Sequence, residues 1–167
     1  MFELQRHIAD VPDFPRPGIM FRDISPLLRD HFDATMGALE ALYSDAEWDS
    51  IDALAGIESR GFILGAGLAA RRGKGFVLVR KQGKLPPPVV DIEYDLEYGS
   101  GVLEMQRGRG RVLLLDDVLA TGGTMSASAE LCVRAGYEVR GLAVLIDLKL
   151  VPEFRWGDLV LRAAAAY

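Results

Sequence analysis

The sequence has very few of the residues that build disulfide-bonded or metal-stapled folds. Its 167 residues include one cysteine, Cys132, and two histidines, His7 and His31. A single cysteine excludes an internal disulfide and a zinc site built on several thiolates, and it is typical of a reducing compartment such as the cytoplasm. A chain of this length buries enough apolar surface to fold without such staples. We expect Cys132 to pack inside the protein and both histidines to lie at its surface.

Long apolar runs and an excess of positive charge are also missing. No run reaches the roughly 18 apolar residues that a membrane span needs, and residues 1–10 lack the apolar stretch of a signal peptide. The formal net charge of −5 argues against nucleic acid as the main partner. The sequence therefore predicts a single cytoplasmic domain, residues 1–167, that binds neither membranes nor nucleic acid.

The sequence does contain short apolar runs that alternate with helical segments. Buried strands are predicted from four apolar runs, at 51–56, 75–80, 111–115 and 139–146. Two helical segments lie between them, at 62–71 and 124–135. Strand–helix–strand units of this kind form a mostly parallel sheet flanked by helices. The fold class is therefore α/β, and ligands of such folds bind at the carboxyl ends of the strands.

Two segments fall outside this alternation. Residues 1–25, which we expect to form a small hood, include the proline-rich stretch 13–18, a predicted stiff and irregular loop. Ser25 is the predicted N-cap of the helix that follows. Residues 90–98 alternate apolar and acidic side chains with a period of two, so they predict a half-exposed strand. This strand turns at 99–101 into a hairpin outside the main sheet. One continuous helix after Ser25 is predicted from an apolar stripe on Leu27, Leu28, Phe32, Met36, Leu39 and Leu42.

The strongest candidate site is the segment 112–124, VLLLDDVLATGGT. A buried strand brings Asp116 and Asp117 to its carboxyl end, and a glycine-containing loop and a helix N-terminus follow at once. Backbone N–H groups of such a loop converge on a phosphate, and a side chain at Gly122 or Gly123 would obstruct that approach. The carboxylates suit ribose hydroxyls or a ligand carrying Mg²⁺, which prefers oxygen donors. The segment predicts a phosphorylated, polyhydroxylated ligand; the alternative is an ordinary turn with a solvated aspartate pair.

This segment resembles the phosphoribosyl-pyrophosphate motif of the type I phosphoribosyltransferases: four apolar residues, two acids and a Thr-Gly-Gly-Thr loop. Further stretches are similar to one branch, the adenine phosphoribosyltransferases. They are DFP and GIMFRDISP within 13–26, ESRGF at 58–62, RKQGKLP at 80–86 and LEYG at 96–99. They occur in the family's order and span about residues 10–148. The resemblance implies a homodimeric enzyme that uses Mg²⁺ to join adenine to phosphoribosyl pyrophosphate, giving AMP and pyrophosphate.

The resemblance also implies a role for each matching residue. Asp116 and Asp117 would hold the ribose hydroxyls, close to a Mg²⁺ ion that is carried mainly by the substrate. The 5′-phosphate would be bound by Ala120, Thr121, Gly122, Gly123 and Thr124. The pyrophosphate would be bound by Ser59, Arg60, Lys81 and Lys84, with a cis peptide at Glu58–Ser59. The base pocket would be lined by Met20, Phe21, Arg22 and Leu148.

A mobile loop, residues 81–101, is the expected carrier of catalysis. The resemblance implies that Glu97 and Tyr98 close over the ribose and that Glu97 manages the proton of the incoming base. It also implies that Arg60 stabilises the departing pyrophosphate. Three adjacent prolines, at 86–88, make this loop stiffer than we expect for the family. The alternative interpretation is that Glu97 belongs to a solubilising acidic face with its acidic neighbours.

The sequence alone is also compatible with different activities and with plainer roles for several residues. The enzyme could act on guanine, xanthine or orotate, or the chain could be a regulator that only senses phosphoribosyl pyrophosphate. Arg60 and the two lysines could be ordinary surface cations, and Met20 and Phe21 could be plain core residues. The stretch 65–70 matches the dinucleotide pattern G-x-G-x-x-A, but it lies inside a predicted helix. There it predicts close helix packing rather than a cofactor site.

Overall fold

The structure of the chain, a computed structural model, describes residues 3–96 and 99–167, apart from the side chain of Leu96. The strands are β1 (Ala9–Pro12), β2 (Met20–Asp23), β3 (Ala53–Ile57), β4 (Gly75–Lys81), β5 (Val89–Leu96), β6 (Gly99–Gln106), β7 (Gly110–Leu119), β8 (Tyr137–Asp147), β9 (Arg155–Trp156) and β10 (Leu159–Ala166). The helices are α1 (Ser25–Asp30), α2 (Phe32–Glu40), α3 (Asp45–Asp49), α4 (Arg60–Arg72) and α5 (Gly123–Ala135), and a 3-10 turn spans Leu4–His7. Within the described residues, no helix is long and apolar enough to span a bilayer.

One eight-stranded sheet forms the centre of the molecule, with the strand order β5-β6-β4-β3-β7-β8-β10-β9. Strands β4, β3, β7, β8 and β10 run parallel, which confirms the predicted α/β class. Along β7, Leu113 and Leu115 pack into the core on the α4 side, while Val112 and Leu114 pack on the α5 side. Because successive side chains of a strand point to opposite faces, this buried run needs helices on both sides of the sheet.

The single helix predicted after Ser25 is wrong, since two helices, α1 and α2, meet at His31. The backbone of His31 has φ −135° and ψ 31°, which lies outside the helical region. Ser25 is the first residue of α1 rather than its N-cap. Ile24 is the N-cap and provides no side-chain cap, while the N–H and hydroxyl of Ser25 both donate to Oδ1 of Asp23, at 2.9 and 2.6 Å.

The β5–β6 hairpin belongs to the main sheet, which corrects the prediction that it stands outside. Strand β6 pairs antiparallel with β4 through Arg80 opposite Glu104 and Lys81 opposite Leu103. The apolar residues of β5 pack against the core beneath α5, and the alternate acidic residues are exposed. A hairpin with one apolar face must bury that face, and α5 and the end of β4 provide the surface for it.

The positions of Cys132 and of the glycine-rich stretch in α4 agree with the sequence analysis, whereas those of the two histidines do not. Cys132 is fully buried in the core, and burial raises the pKa of its thiol to about 12. A Cβ on Gly65 would lie 2.6 Å from the ring of Phe76, which explains a glycine where α4 crosses the sheet. The two histidines differ from the expectation: His7 and His31 are half-buried, with ring centroids 3.9 Å apart.

Candidate active site

The carboxyl ends of β3, β4 and β7 surround a cavity of about 370 Å³. Strand β3 pairs with β7 only as far as Leu115, so the two aspartates that follow extend beyond its end. The β5–β6 hairpin contributes Tyr94 and Leu103 to the cavity wall. The residues that line it are Ile57, Glu58, Ser59, Arg60, Lys81, Tyr94, Leu103, Asp116, Asp117 and Thr124.

The two aspartates and Arg60 form the polar centre of this cavity. Nε of Arg60 lies 2.7 Å from Oδ2 of Asp117, and Oδ1 of Asp116 accepts the N–H of Asp117 at 2.8 Å. Burial, and then the charge of Asp117, raise the pKa of Asp116 well above its usual range. Although Arg60 is within ion-pair distance, Oδ2 of Asp117 is buried without a well-aligned hydrogen bond. The cavity therefore holds carboxylate oxygens that a hydroxyl or a hydrated cation can satisfy.

Beside the cavity, the loop between β7 and α5 encloses a second cleft of about 100 Å³, and both clefts are lined by Asp116 and Thr124. Gly122 adopts φ +90°, and a Cβ on this residue would overlap the ring of Phe154. Helix α5 begins directly after it without a side-chain N-cap from the described residues. Its first N–H groups are therefore available to an anion, which the helix dipole also favours.

Comparison with known proteins assigns this arrangement to one family. Residues 28–155 match the model of the phosphoribosyl transferase domain. A relative from Hydrogenovibrio crunogenus, named adenine phosphoribosyltransferase, is 51% identical over 165 residues, which cover 98% of this chain and 96% of the relative. The chain belongs to the adenine phosphoribosyltransferase family.

Solved structures of the family share the fold over nearly the whole chain. The adenine phosphoribosyltransferase of Rhodothermus marinus superposes with a TM-score of 0.84 at 41% identity, covering 98% of this chain and 96% of that one. The enzyme of Giardia lamblia, solved with 9-deazaadenine, gives a TM-score of 0.86 at 38% identity, covering 97% and 94%. The predicted family and fold are thus confirmed.

Most of the residues that the family resemblance assigns to pyrophosphate lie together. Ser59, Arg60 and Lys81 line the same cavity as the aspartate pair, and the peptide between Glu58 and Ser59 is cis, as the resemblance implied. Lys84 is placed differently. Its Nζ lies 3.4 Å from Oε2 of Glu58, and it is not among the residues that line the cavity.

The residues assigned to the base lie on the hood and at the end of β8. The ring of Phe21 lies 5.0 Å from the guanidinium carbon of Arg60, so the hood reaches the cavity. Arg22 pairs with Asp10 of β1 and lies over the ring of Tyr167, with 4.1 Å between the guanidinium carbon and the ring centre. Met20 is exposed.

Leu148 follows β8 beside the phosphate loop. Its N–H donates to the carbonyl of Leu119 at 3.1 Å, which places it next to the start of that loop. The cavity wall described above does not include Leu148 or Met20.

Four cavity residues have no predicted site role: Ile57, Glu58, Tyr94 and Leu103. Tyr94 lies on the apolar face of the strand with a period of two. Its position in that alternation predicted a buried side chain, but it did not predict which residues the side chain would contact. Glu58 was visible in the ESRG turn, although the resemblance selected only the residues after it. The predicted catalytic residues Glu97 and Tyr98 lie outside the described residues.

Proposed function

We propose that this chain transfers phosphoribosyl from phosphoribosyl pyrophosphate to adenine, giving AMP and pyrophosphate in purine salvage. The observation that carries the proposal is the position of the carboxylate pair Asp116–Asp117. The pair lies between the cleft of a phosphate-type loop on one side and the cations Arg60 and Lys81 of the adjoining cavity on the other. That order matches a ligand with a 5′-phosphate, a ribose and a pyrophosphate. The base follows from the relatives, which are named for adenine, and from the 9-deazaadenine bound by the Giardia lamblia enzyme.

In this mechanism the chain positions a ribose whose bond to pyrophosphate breaks at C1. The loop 120–124 binds the 5′-phosphate through its N–H groups, and Asp116 and Asp117 accept hydrogen bonds from the ribose hydroxyls. Ser59, Arg60 and Lys81 stabilise the charge that develops on the departing pyrophosphate. Nitrogen N9 of adenine attacks C1, and the proton of the base leaves towards Glu97, with Tyr98 beside it.

The donor set also fits a magnesium ion. Mg²⁺ is coordinated by oxygen atoms and keeps several waters, and the carboxylate oxygens of the half-buried Asp116 and the buried Asp117 are of this kind. Carried mainly by the pyrophosphate of the substrate, the ion would neutralise part of its negative charge. A cation here would also offset the charge of Asp117, which adds to the effect of burial in raising the pKa of Asp116.

We assign the base pocket to the hood and the end of β8: Met20, Phe21, Arg22 and Leu148. Support comes from Phe21, whose ring reaches Arg60 at the cavity. An aromatic ring at this point can stack on a purine.

The hood, about residues 1–25, and the loop 81–101 are, in this proposal, parts of one domain that spans residues 1–167.

A homodimer in the cytoplasm is the assembly and compartment that we propose. The outer edge of β4 pairs with β6 only through Arg80 and Lys81. Leu78 of β4 and Ile63 of α4, the helix that packs against this strand, are 36% and 46% exposed. Exposed apolar side chains next to an open strand edge favour a protein contact, and the buried single thiol suits a reducing compartment.

The test of the function is a panel of bases. Purified protein, phosphoribosyl pyrophosphate and Mg²⁺ are incubated with adenine, hypoxanthine, guanine, xanthine or orotate, and the nucleotide formed is measured. We expect kcat/KM for adenine to exceed that for hypoxanthine by at least about 100-fold, because the wrong base leaves buried polar groups unpaired. Equal turnover of hypoxanthine would contradict the adenine assignment, and binding of phosphoribosyl pyrophosphate without turnover of any base would indicate a regulator.

A further inference from the structure

Two buried carboxylates lie beneath residues 81–85, the turn that carries Lys81 and Lys84. Glu104 of β6 is 3% exposed, and its Oε1 accepts the N–H of Lys84 at 2.8 Å and that of Leu85 at 2.7 Å. The side chain of Glu58 is 6% exposed and accepts the N–H of Lys81. The backbone of this turn is therefore bonded to side chains from two other parts of the chain.

Arg80 joins the two carboxylates into one cluster. Its guanidinium lies 3.4 Å from Oε2 of Glu58 and donates to the carbonyl of Lys84 at 3.4 Å. Burial alone would raise the pKa of Glu104, but N–H donors of the turn and the charge of Arg80 outweigh it and hold the pKa below its usual range. Burial is outweighed in the same way at Glu58, where the N–H of Lys81 and the charge of Lys84 lower the pKa.

A gain in the stability of the fold does not by itself account for this cluster of buried charges. Apolar residues of similar size usually stabilise a fold as well as buried charges do, because burying a carboxylate costs desolvation energy. Backbone N–H donors, however, need an acceptor, and two carboxylates aimed at one turn hold it in one shape. Glu58 also directly precedes Ser59 and Arg60, so it contacts both segments that line the cation side of the cavity.

We propose that Glu58 and Glu104 are positioning residues for the pyrophosphate. They hold the turn 81–85 against Ser59–Arg60, so that Lys81 faces the cavity before the substrate arrives. Neither carboxylate needs to touch the reacting atoms for this. The inference rests on the proposed function, since it takes pyrophosphate as the ligand of this side of the cavity. Preorganised cations cost less free energy of ordering when the substrate binds.

The test uses Glu104→Ala and Glu104→Gln in steady-state kinetics with each substrate varied in turn. We expect Glu104→Ala to raise KM for phosphoribosyl pyrophosphate by about 10-fold or more, since small misplacements of binding groups have large effects. KM for adenine should stay within about two-fold of the wild type. Glu104→Gln keeps a carbonyl oxygen that can accept the same N–H groups, so it should restore most of the affinity.

The control variant is Glu93→Ala, which removes one exposed acid from the neighbouring strand β5 and should change neither KM. Calorimetry with pyrophosphate and Mg²⁺ gives an affinity without turnover and should show the same order of variants. Circular dichroism checks the fold of each. If both KM values rise equally in Glu104→Ala, or if Glu104→Gln is as impaired as Glu104→Ala, the positioning role is overturned. A wild type that transfers to no base would instead overturn the proposed function.

Discussion

Adjacent glycines in the phosphate loop show how differently two identical residues can be constrained. Gly122 adopts φ +90°, which side chains rarely tolerate, and the ring of Phe154 occupies the space where its Cβ would lie. Gly123 is the first residue of α5, and the nearest atom to its Cβ position is the carbonyl oxygen of Asp95 at 3.5 Å, an ordinary contact. The loop's shape therefore depends on Gly122 far more than on Gly123.

We predict that Gly122→Ala weakens AMP binding by about 10-fold or more, because positive φ costs a non-glycine residue on the order of 1–3 kcal/mol and the ring must move. Gly123→Ala should weaken binding less, since its Cβ would make only an ordinary contact with the protein, and the obstruction of the phosphate is its remaining cost. Isothermal calorimetry with AMP measures both, and circular dichroism confirms that each variant folds. Equal losses would mean that the close approach of a phosphate, rather than backbone conformation, sets the need for glycine at both positions.

At the scale of elements, the β5–β6 hairpin divides its two faces between structure and solvent. Tyr94 and Leu103 face inward and line the cavity, whereas Asp91, Glu93 and Asp95 are exposed. The exposed acids are thus the solvated face that the period of two predicts. A test of Glu97 therefore has to distinguish its own effect on catalysis from a general effect of the hairpin's acidic side chains.

The separation uses Glu97→Ala and Glu93→Ala, which remove the same charge from the same predicted strand. We predict that Glu97→Ala lowers kcat by about 100-fold or more, in the range of a lost acid–base group. Glu93→Ala should stay close to wild type, because its carboxylate is exposed. Initial rates of AMP formation at saturating substrates decide between them. Small and equal effects would show that the resemblance over LEYG overstates Glu97, and large and equal effects would point to the charge of the hairpin.

At the scale of the whole molecule, the last strand connects parts that are far apart in sequence. Strand β10 pairs with β8, and Tyr167 after it donates its N–H to the carbonyl of Asp147 at 3.1 Å. The ring of the same tyrosine lies under Arg22 of the hood. Another long-range link joins Arg162 of β10 to Glu47 of α3, at 2.6 Å. These contacts tie the hood and the helical layer to one edge of the sheet.

The Glu47–Arg162 pair predicts a pH dependence of stability. Hydrogen bonds from Arg162 and from the N–H of Ser44 lower the pKa of Glu47 to about 2. Because the folded pKa lies below the usual value, the pair's contribution is complete above about pH 4.5 and is lost as the pH falls towards 2. Glu47→Gln should have a lower Tm than the wild type at pH 7, and the difference in Tm between the two proteins should be smaller at pH 3. Both side chains are about 40% exposed, so the effect should stay below about 1 kcal/mol.

Thermal unfolding of wild type and Glu47→Gln at several pH values measures this difference. Added salt should shrink it at pH 7, because screening weakens an exposed pair. Glu138→Gln is a suitable control, since Glu138 pairs with Arg140 two residues away and links no distant elements. A Tm difference that is the same at pH 7 and pH 3 would contradict the assignment.

The sequence by itself determined six of the ten strands that the described residues form, β3 to β8, together with the family and the identity of most cavity residues. Apolar runs and the period of two identify strands and their faces, because burial of a strand depends on its own side chains. The segment 112–124 revealed a phosphate-type loop, because its strand, acids, glycines and helix start are contiguous in the chain. Asp116 and the residues of that loop line one cleft, and Asp116 and Asp117 line the adjoining cavity.

Only the tertiary structure decided which elements meet. Periodicity shows which face of β5–β6 is buried but not that β6 pairs with β4, and a stripe of leucines does not reveal the break at His31. The tertiary structure also decided that Glu58 and Glu104, which are far apart in sequence, accept hydrogen bonds from the backbone of the same turn. Such choices depend on contacts between residues distant in sequence, and no local pattern of side chains encodes which distant donor a buried carboxylate will face.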